Sequence, residues 1–194
     1  MGFLSVLSQA QRWVEERAMP GDAVVDATAG NGSDTLFLAR TVGSGGIVYA
    51  FDIQAEALEN TRRRLVDADV SEAGTLAEVT LVQAGHETMD SVVASDLHGR
   101  IAAVMFNLGY LPGASSPVIT LPATTLTALD SALRLLRAGG VLTVVVYPGH
   151  EGGQTEADAV QAWASGVSPS IAQAVLFRFP QKRASPYLVA LIKR

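Results

Sequence analysis

The sequence predicts an α/β protein: a mostly parallel sheet of seven strands, closed by an antiparallel C-terminal hairpin, with helices on both faces. Three observations predict it. Apolar, β-branched runs alternate with stretches of helical period along most of the 194 residues. The apolar run Ala23-Val24-Val25 enters a glycine turn, DATAGNGSDT at 26–35, and a helical stretch, LFLA at 36–39, leaves it. The last two apolar runs, 172–179 and 187–192, are separated only by a turn, 180–186, bounded by prolines, which suits an antiparallel pair.

Taken in order, apolar residues at 3, 4, 6, 7, 10, 13 and 14 predict a helix over 3–17, stopped by Pro20-Gly21-Asp22. After the glycine turn a helix is expected over 34–42, ended by the glycines of 43–46. A second strand, 47–52, leads to a helix over 55–68 with Ala57, Leu58, Thr61, Leu65 and Ala68 on its apolar stripe. Residues 70–76 read as a loop, 78–83 as the third strand and 89–97 as a short helix. The run 100–106 is almost continuously apolar, as a buried parallel strand should be. A Ser-, Pro- and Gly-rich loop at 113–120 is placed to close over a substrate. The next helix, 124–137, carries Leu126, Leu129, Leu133 and Leu136, with Ala138-Gly139-Gly140 as its C-cap. The β-branched run 141–147 is the fifth strand, and PGHEGG at 148–153 opens a last helix over 154–165. There is no internal repeat and no low-complexity linker. One domain over 1–194 is expected, with residues 1–19 packing on it as an N-terminal helix.

Composition narrows the function. The chain is 48% apolar and has no cysteine, so a disulfide framework and a thiolate nucleophile are excluded. Its 3 histidines are widely spaced, and no metal is expected. No apolar run approaches the roughly 20 residues a membrane span needs. The N-terminal MGFLSVL is followed quickly by Gln9, Arg12, Glu15 and Glu16, an amphipathic helix and not a signal peptide, so a cytoplasmic place is expected. A net charge of −5 and a pI near 5.1 argue against broad duplex binding, though not against a shaped RNA held by a local patch. Arg62-Arg63-Arg64 and Lys182-Arg183 with Lys193-Arg194 are two such patches, each equally readable as a solvated surface. A homodimer is left open.

The chemistry gathers at the strand ends. Gly30 and Gly32 permit a sharp turn and close ligand approach. Asp52 closes the second strand 22 residues after Gly30, where a carboxylate suits the two hydroxyls of a ribose. An adenosine-containing cofactor follows. A dinucleotide would want a third glycine and a welcoming helix N-terminus, but Ser33-Asp34-Thr35 stands there instead. Asp34 repels phosphate and favours a cation, which points to S-adenosylmethionine, a sulfonium with an ammonium and no phosphate, over NAD or FAD. The plain alternative for Asp34 is an acid complementing a helix dipole. Gln54 follows the ribose carboxylate and is placed to hold the ribose or the adenine edge. His86, after Gly85 at the end of the third strand, reads either as a cofactor contact or as a loop-satisfied histidine.

With these residues assembled, the chain resembles the class I S-adenosylmethionine-dependent methyltransferases. More narrowly, it is similar to a small bacterial family labelled rRNA methylases, whose members include the tRNA 5-aminomethyl-2-thiouridine methyltransferases. The matching motifs are DATAGNGSDTLFLA at 26–39, YAFDIQ at 49–54, NLGYLP at 107–112 and YPGHEGG at 147–153, and the similarity runs from about residue 20 to the C-terminus. The resemblance implies a Rossmann-like class I fold and methyl transfer to the exocyclic amine of 5-aminomethyl-(2-thio)uridine at the tRNA wobble position, in the anticodon arm. It implies cofactor contacts from Asp26, Gly30, Asn31, Gly32, Ser33 and Asp34, then Asp52, Ile53 and Gln54, then Gly85, His86 and Asn107.

Such a transfer needs an oriented amine with a free lone pair. The Asn107 side-chain oxygen and the Leu108 carbonyl are the expected acceptors, in a dry, cation-averse pocket that lowers the amine pKa. Tyr110 is placed to stack on the uracil ring, and Tyr147, His150 and Glu151 to line the substrate mouth. Asp34 and His86 are candidates to take a proton. Where many amine methyltransferases place Asn/Asp-Pro-Pro-aromatic, this chain has Asn-Leu-Gly-Tyr. The competing readings are methylation of rRNA or of a small amine, an NAD-binding oxidoreductase, and an RNA-binding module without catalysis.

Overall fold

The computed structural model describes residues 2–72, 74–109, 120–149, 152–181 and 184–194. Helix α1 spans Val6–Glu15. It is shorter than the expected 3–17 because Ser5 caps it, its hydroxyl accepting from the Ser8 N–H at 3.1 Å. Strand β1 is Ala23–Asp26, helix α2 Ser33–Val42, strand β2 Ile47–Asp52, helix α3 Ala55–Glu72 and strand β3 Glu78–Gln83. Helix α4 is Met89–Val92, strand β4 Ile101–Asn107, helix α5 Pro122–Leu135 and strand β5 Leu136–Val146. Helix α6 is Gly153–Gly166, and strands β6 and β7 are Ala172–Phe177 and Tyr187–Lys193.

The seven strands form one sheet in the order β3-β2-β1-β4-β5-β7-β6. The first five are parallel; β7 runs antiparallel to both β5 and β6. The expected mostly parallel sheet with an antiparallel C-terminal pair is therefore observed, with the last strand inserted inside and β6 left at the edge. The pleat divides the core. Val104 and Phe106 of β4, Leu142 and Val144 of β5, and Val189 and Leu191 of β7 face α5 and α6. The alternate residues, Ala103, Met105, Val141, Val145, Leu188 and Ala190, face α1 and α2. No helix among the described residues is long and apolar enough to cross a membrane.

Three further boundaries differ from the sequence reading. Helix α3 continues to Glu72, through part of the expected loop, because nothing breaks it before Gly74, whose φ is +74°. The expected helix over 89–97 is only α4. Val93 and Ala94 turn extended, and a single 3₁₀ turn follows at Ser95–Leu97. The expected helix over 124–137 ends at Leu135, and the Gly139-Gly140 pair lies inside β5 instead of capping the helix. There the register to β4 slips between Ile101 and Ala103, and Gly139 takes φ +77°.

The early exit from α5 has a visible cause. Arg137 is drawn to Asp22 in a two-pronged ion pair, at 2.8 and 2.9 Å, and also donates to the Arg17 carbonyl at 2.9 Å. Lys193 Nζ caps the freed Leu136 and Arg134 carbonyls at 2.6 and 3.3 Å. Replacing Arg137 by alanine should lower unfolding stability by about 1–2 kcal/mol, the range for a charge-assisted pair of this geometry. Urea titration of both proteins checks this: the midpoint should fall with an unchanged slope.

Candidate active site

The site lies at the carboxyl ends of β1 and β4, where the strand order reverses. Beyond β1 the chain keeps hold of both neighbours. The Ala27 N–H donates to the Met105 carbonyl and the Ala29 N–H to the Phe51 carbonyl, each at 2.8 Å. The Thr28 hydroxyl, between them, accepts the Asn107 N–H at 2.7 Å. The chain then closes on itself as the Gly32 N–H meets the Ala29 carbonyl at 2.8 Å, with φ +53° at Gly30 and +76° at Gly32. A Cβ on Gly32 would stand 2.8 Å from the Thr61 Cα, so this glycine lets α2 start directly against α3.

A cleft of about 620 Å³ opens over this turn. Gly30, Asn31, Ser33 and Asp34 form its floor, and Asp52, Ile53 and Gln54 one wall. Gly85, His86 and Glu87 continue that wall; Asn107, Leu108 and Tyr147 stand opposite the β2 side. Of the cofactor residues expected from sequence, Asp26 and Gly32 lie behind this lining. Tyr110, His150 and Glu151, expected at the substrate, lie outside the described residues.

Asp52 is aimed by the backbone. One carboxylate oxygen accepts the Gly30 N–H at 2.9 Å and the other the Gln54 N–H at 2.9 Å. Each oxygen keeps a second lone pair, enough for two ribose hydroxyls. Ile53 is an apolar side chain left 53% exposed beside it, a flat surface for an adenine ring. Asn31 is pinned from α3: Asn60 donates to its side-chain oxygen at 3.0 Å, and Arg64 to its carbonyl at 2.7 Å. Glu87 folds its carboxylate over Gly85, where a Cβ would overlap it.

Beneath the floor, Asp26 is buried. Its carboxylate accepts the Thr28 N–H at 3.1 Å and the Thr35 hydroxyl at 2.6 Å. Burial, helped by the neighbouring Asp34, pushes its carboxyl up to about 7. Asp34 is also raised by burial, an effect opposed by hydrogen bonds from Gln11 and Asn107. The Gln11 amide reaches it from α1 at 3.0 Å. The Tyr147 hydroxyl has its pKa raised by burial and by Asp34, an effect opposed by Asn107. His86 is buried with its ring 5.5 Å from that of Phe106, and burial lowers its pKa, so it is neutral. Its Nε2 has no hydrogen-bond partner among the described residues.

The described lining thus holds Asp34, Asp52 and Glu87 and no lysine or arginine. It is not the cation-averse pocket expected for lowering an amine pKa. It attracts cations and repels a pyrophosphate. Among the residues of the basic patches, Arg64 fastens Asn31, Arg62 sits 3.7 Å from Glu59 and Lys193 caps α5; Lys182 and Arg183 lie outside the described residues. Thr28, Gln11, Asn60 and Arg64 build the site without any signal in the sequence, because each acts on a residue far away in the chain.

Comparison with known proteins agrees with this geometry. Residues 48–193 match the family described as "Putative rRNA methylase". The chain belongs to this family of methylases. A protein from Clostridium thermocellum described as a "putative rRNA-methylase" superposes with a TM-score of 0.91 at 37% identity, each chain fully covered. A Streptococcus mutans protein described as a "putative methyltransferase", solved in complex with SAH, superposes at 0.86 with 34% identity, again over the whole of both chains. The chloroplastic tRNA (mnm(5)s(2)U34)-methyltransferase of Arabidopsis thaliana is 41% identical over 185 residues, 93% of this chain. This chain spans 66% of the length of that plant protein. S-adenosylmethionine is the cofactor the methylase site fits: an acidic cleft for sulfonium and ammonium, a backbone-aimed carboxylate for ribose, and an apolar platform for adenine.

Two outcomes follow. Asp52→Asn should weaken S-adenosylmethionine binding by about 10- to 100-fold, the cost of losing a charged hydrogen-bond acceptor; calorimetric titration reads it directly. Asp26 holds its proton more tightly folded than unfolded, so its contribution is intact at low pH and lost as pH rises from the ordinary 3.8 through about 7. Asp26→Asn keeps both hydrogen-bond partners and cannot ionise. The melting temperature of the variant minus that of wild type should therefore grow between about pH 4 and pH 7 and level off above. A constant difference would show that Asp26 is ionised in the folded protein throughout this range, its pKa not raised.

Proposed function

We infer that the methylase transfers a methyl group from S-adenosylmethionine to the exocyclic amine of 5-aminomethyl-(2-thio)uridine at the tRNA wobble position. The products are the 5-methylaminomethyl nucleoside and S-adenosylhomocysteine. One observation of the geometry carries the amine reading: Asn107, Asp34 and Tyr147, which follow or end β4, β1 and β5, all line the same acidic cleft. The choice of this particular amine rests on the likeness to the Arabidopsis enzyme.

An alkylamine is protonated at neutral pH, with a solution pKa of about 10. The acidic wall draws the ammonium in. Asp34, whose raised pKa brings it nearer to neutrality than an ordinary aspartate, takes the proton. His86 is less suited, being buried against Phe106. The side-chain oxygen of Asn107 and the carbonyl of Leu108 accept the remaining amine N–H bonds and aim the lone pair. Attack on the methyl carbon forms the C–N bond as the C–S bond breaks, with the electron pair leaving to sulfur. Proximity and alignment supply most of the acceleration. This reading places the reaction in the cytoplasm and its target in the anticodon arm.

The family description favours a second substrate, rRNA. Purified protein, labelled S-adenosylmethionine and bulk tRNA from a strain lacking the gene decide between them. Digestion to nucleosides should show label in the 5-methylaminomethyl form. Label in rRNA alone would replace the substrate and leave the amine chemistry to be reassigned. Within the tRNA reaction, Asn107→Ala should lower kcat by about 100-fold, as misplacement of a reacting group does, while cofactor affinity changes far less. Equal losses in both would show that Asn107 holds the cofactor and not the amine.

A further inference from the structure

A second buried carboxylate, Glu156, has no part in the chemistry above. It sits on the first turns of α6, is 3% exposed and does not line the cleft. It accepts the Thr125 hydroxyl of α5 at 2.7 Å and the Thr120 hydroxyl at 2.6 Å. Keeping a carboxylate in an apolar interior is costly. Packing α6 on α5 does not require one, since the remaining buried residues of α6 are glycine, alanine and valine. What the carboxylate supplies is direction: it can only accept, so it orients the hydroxyls that face it.

Thr120 does line the cleft. With its one hydroxyl proton given to Glu156, its oxygen is left to accept, and it accepts the Gly109 N–H at 3.1 Å. The Thr120 N–H returns to the Gly109 carbonyl, also at 3.1 Å. Residues 109 and 120 are thereby joined by two hydrogen bonds, one of which is polarised by Glu156.

The Gly109 N–H shares its peptide unit with the Leu108 carbonyl. That unit is planar and trans, so its N–H and C=O point opposite ways. Gly109 takes φ +141°, a conformation open to glycine and rarely to other residues, where the peptide plane is otherwise free to turn. Holding the N–H on Thr120 turns the Leu108 carbonyl to the other side. The Leu108 N–H is held as well, by the neighbouring strand β5, on the Val145 carbonyl at 2.9 Å.

We propose that Glu156 is a positioning residue which, through the Thr120 hydroxyl, fixes the peptide plane whose carbonyl, that of Leu108, accepts the substrate amine. What the carbonyl meets rests on the amine-methylation reading; the clamp itself does not.

The test uses the full chain and three variants. Thr120→Val keeps the shape and removes the hydroxyl, Thr120→Ser restores it, and Thr125→Val removes the other partner of Glu156 while leaving the clamp. Amide exchange at Gly109, followed by NMR, reads the clamp without any substrate. Steady-state methylation of tRNA reads its effect. Thr120→Val should expose the Gly109 amide to faster exchange and lower kcat by about 100-fold, with the cofactor Kd unchanged. Thr120→Ser should recover both, and Thr125→Val should stay near wild type in both. The proposal is overturned if Gly109 exchange in Thr120→Val matches wild type, if exchange rises with kcat unchanged, or if Thr125→Val loses as much turnover as Thr120→Val. Wild-type protein silent on tRNA would sink the substrate reading alone, and Gly109 exchange would still decide the clamp.

Discussion

The hydrogen bond from the Asn107 N–H to the Thr28 hydroxyl, 2.7 Å long, joins the two halves of the site. Thr28 belongs to the turn after β1 that receives a cofactor; Asn107 ends β4, where the proposed amine acceptors stand. The bond sits where the sheet reverses its order, the place at which two neighbouring strand ends diverge and leave room for a ligand. Ala27 and Ala29, on either side of Thr28, tie the same turn to β4 and β2. The distance between cofactor floor and acceptor wall is therefore set by main-chain geometry of the sheet. Surface side chains have little part in it, which suits a reaction whose acceleration comes mostly from alignment.

Charge is the second constraint. Asp26, Asp34 and Asp52 are brought to one end of the sheet, and burial raises the first two. Crowding like charges costs stability, and the neighbours offset part of that cost with donors: Thr35 and Thr28 for Asp26, Gln11 for Asp34, Gly30 and Gln54 for Asp52. The result is a cleft whose described lining has no positive side chain to neutralise it. A sulfonium and an ammonium complete that charge pattern in a way that a dinucleotide would not.

Much of this was legible in the sequence, for physical reasons. The strand-turn-helix at 23–39 and the acid ending β2 are local patterns, and the seven apolar runs became the seven strands. Asp34 told against phosphate from its position alone. The failures share a cause in tertiary contact. Gly139-Gly140 looked like a helix cap, but the Arg137–Asp22 pair and β4 drew the chain into a strand at Leu136, five residues before the expected 141. Gly32 looked like a ligand approach and proves to accommodate Thr61 of α3. Thr28, Gln11, Asn60, Arg64 and Glu156 are ordinary residues in ordinary places, and only their long-range partners give them a role.

Binding selectivity of the unmodified protein tests most directly whether the acidic cleft chooses the cofactor. Calorimetric titrations with S-adenosylmethionine and with NAD, run side by side at low and high salt, measure it. The charge pattern predicts that S-adenosylmethionine binds and NAD does not, with the S-adenosylmethionine affinity falling as salt screens the carboxylates. NAD bound as tightly as S-adenosylmethionine would contradict it, and the aspartates would then be structural charges without a part in recognition.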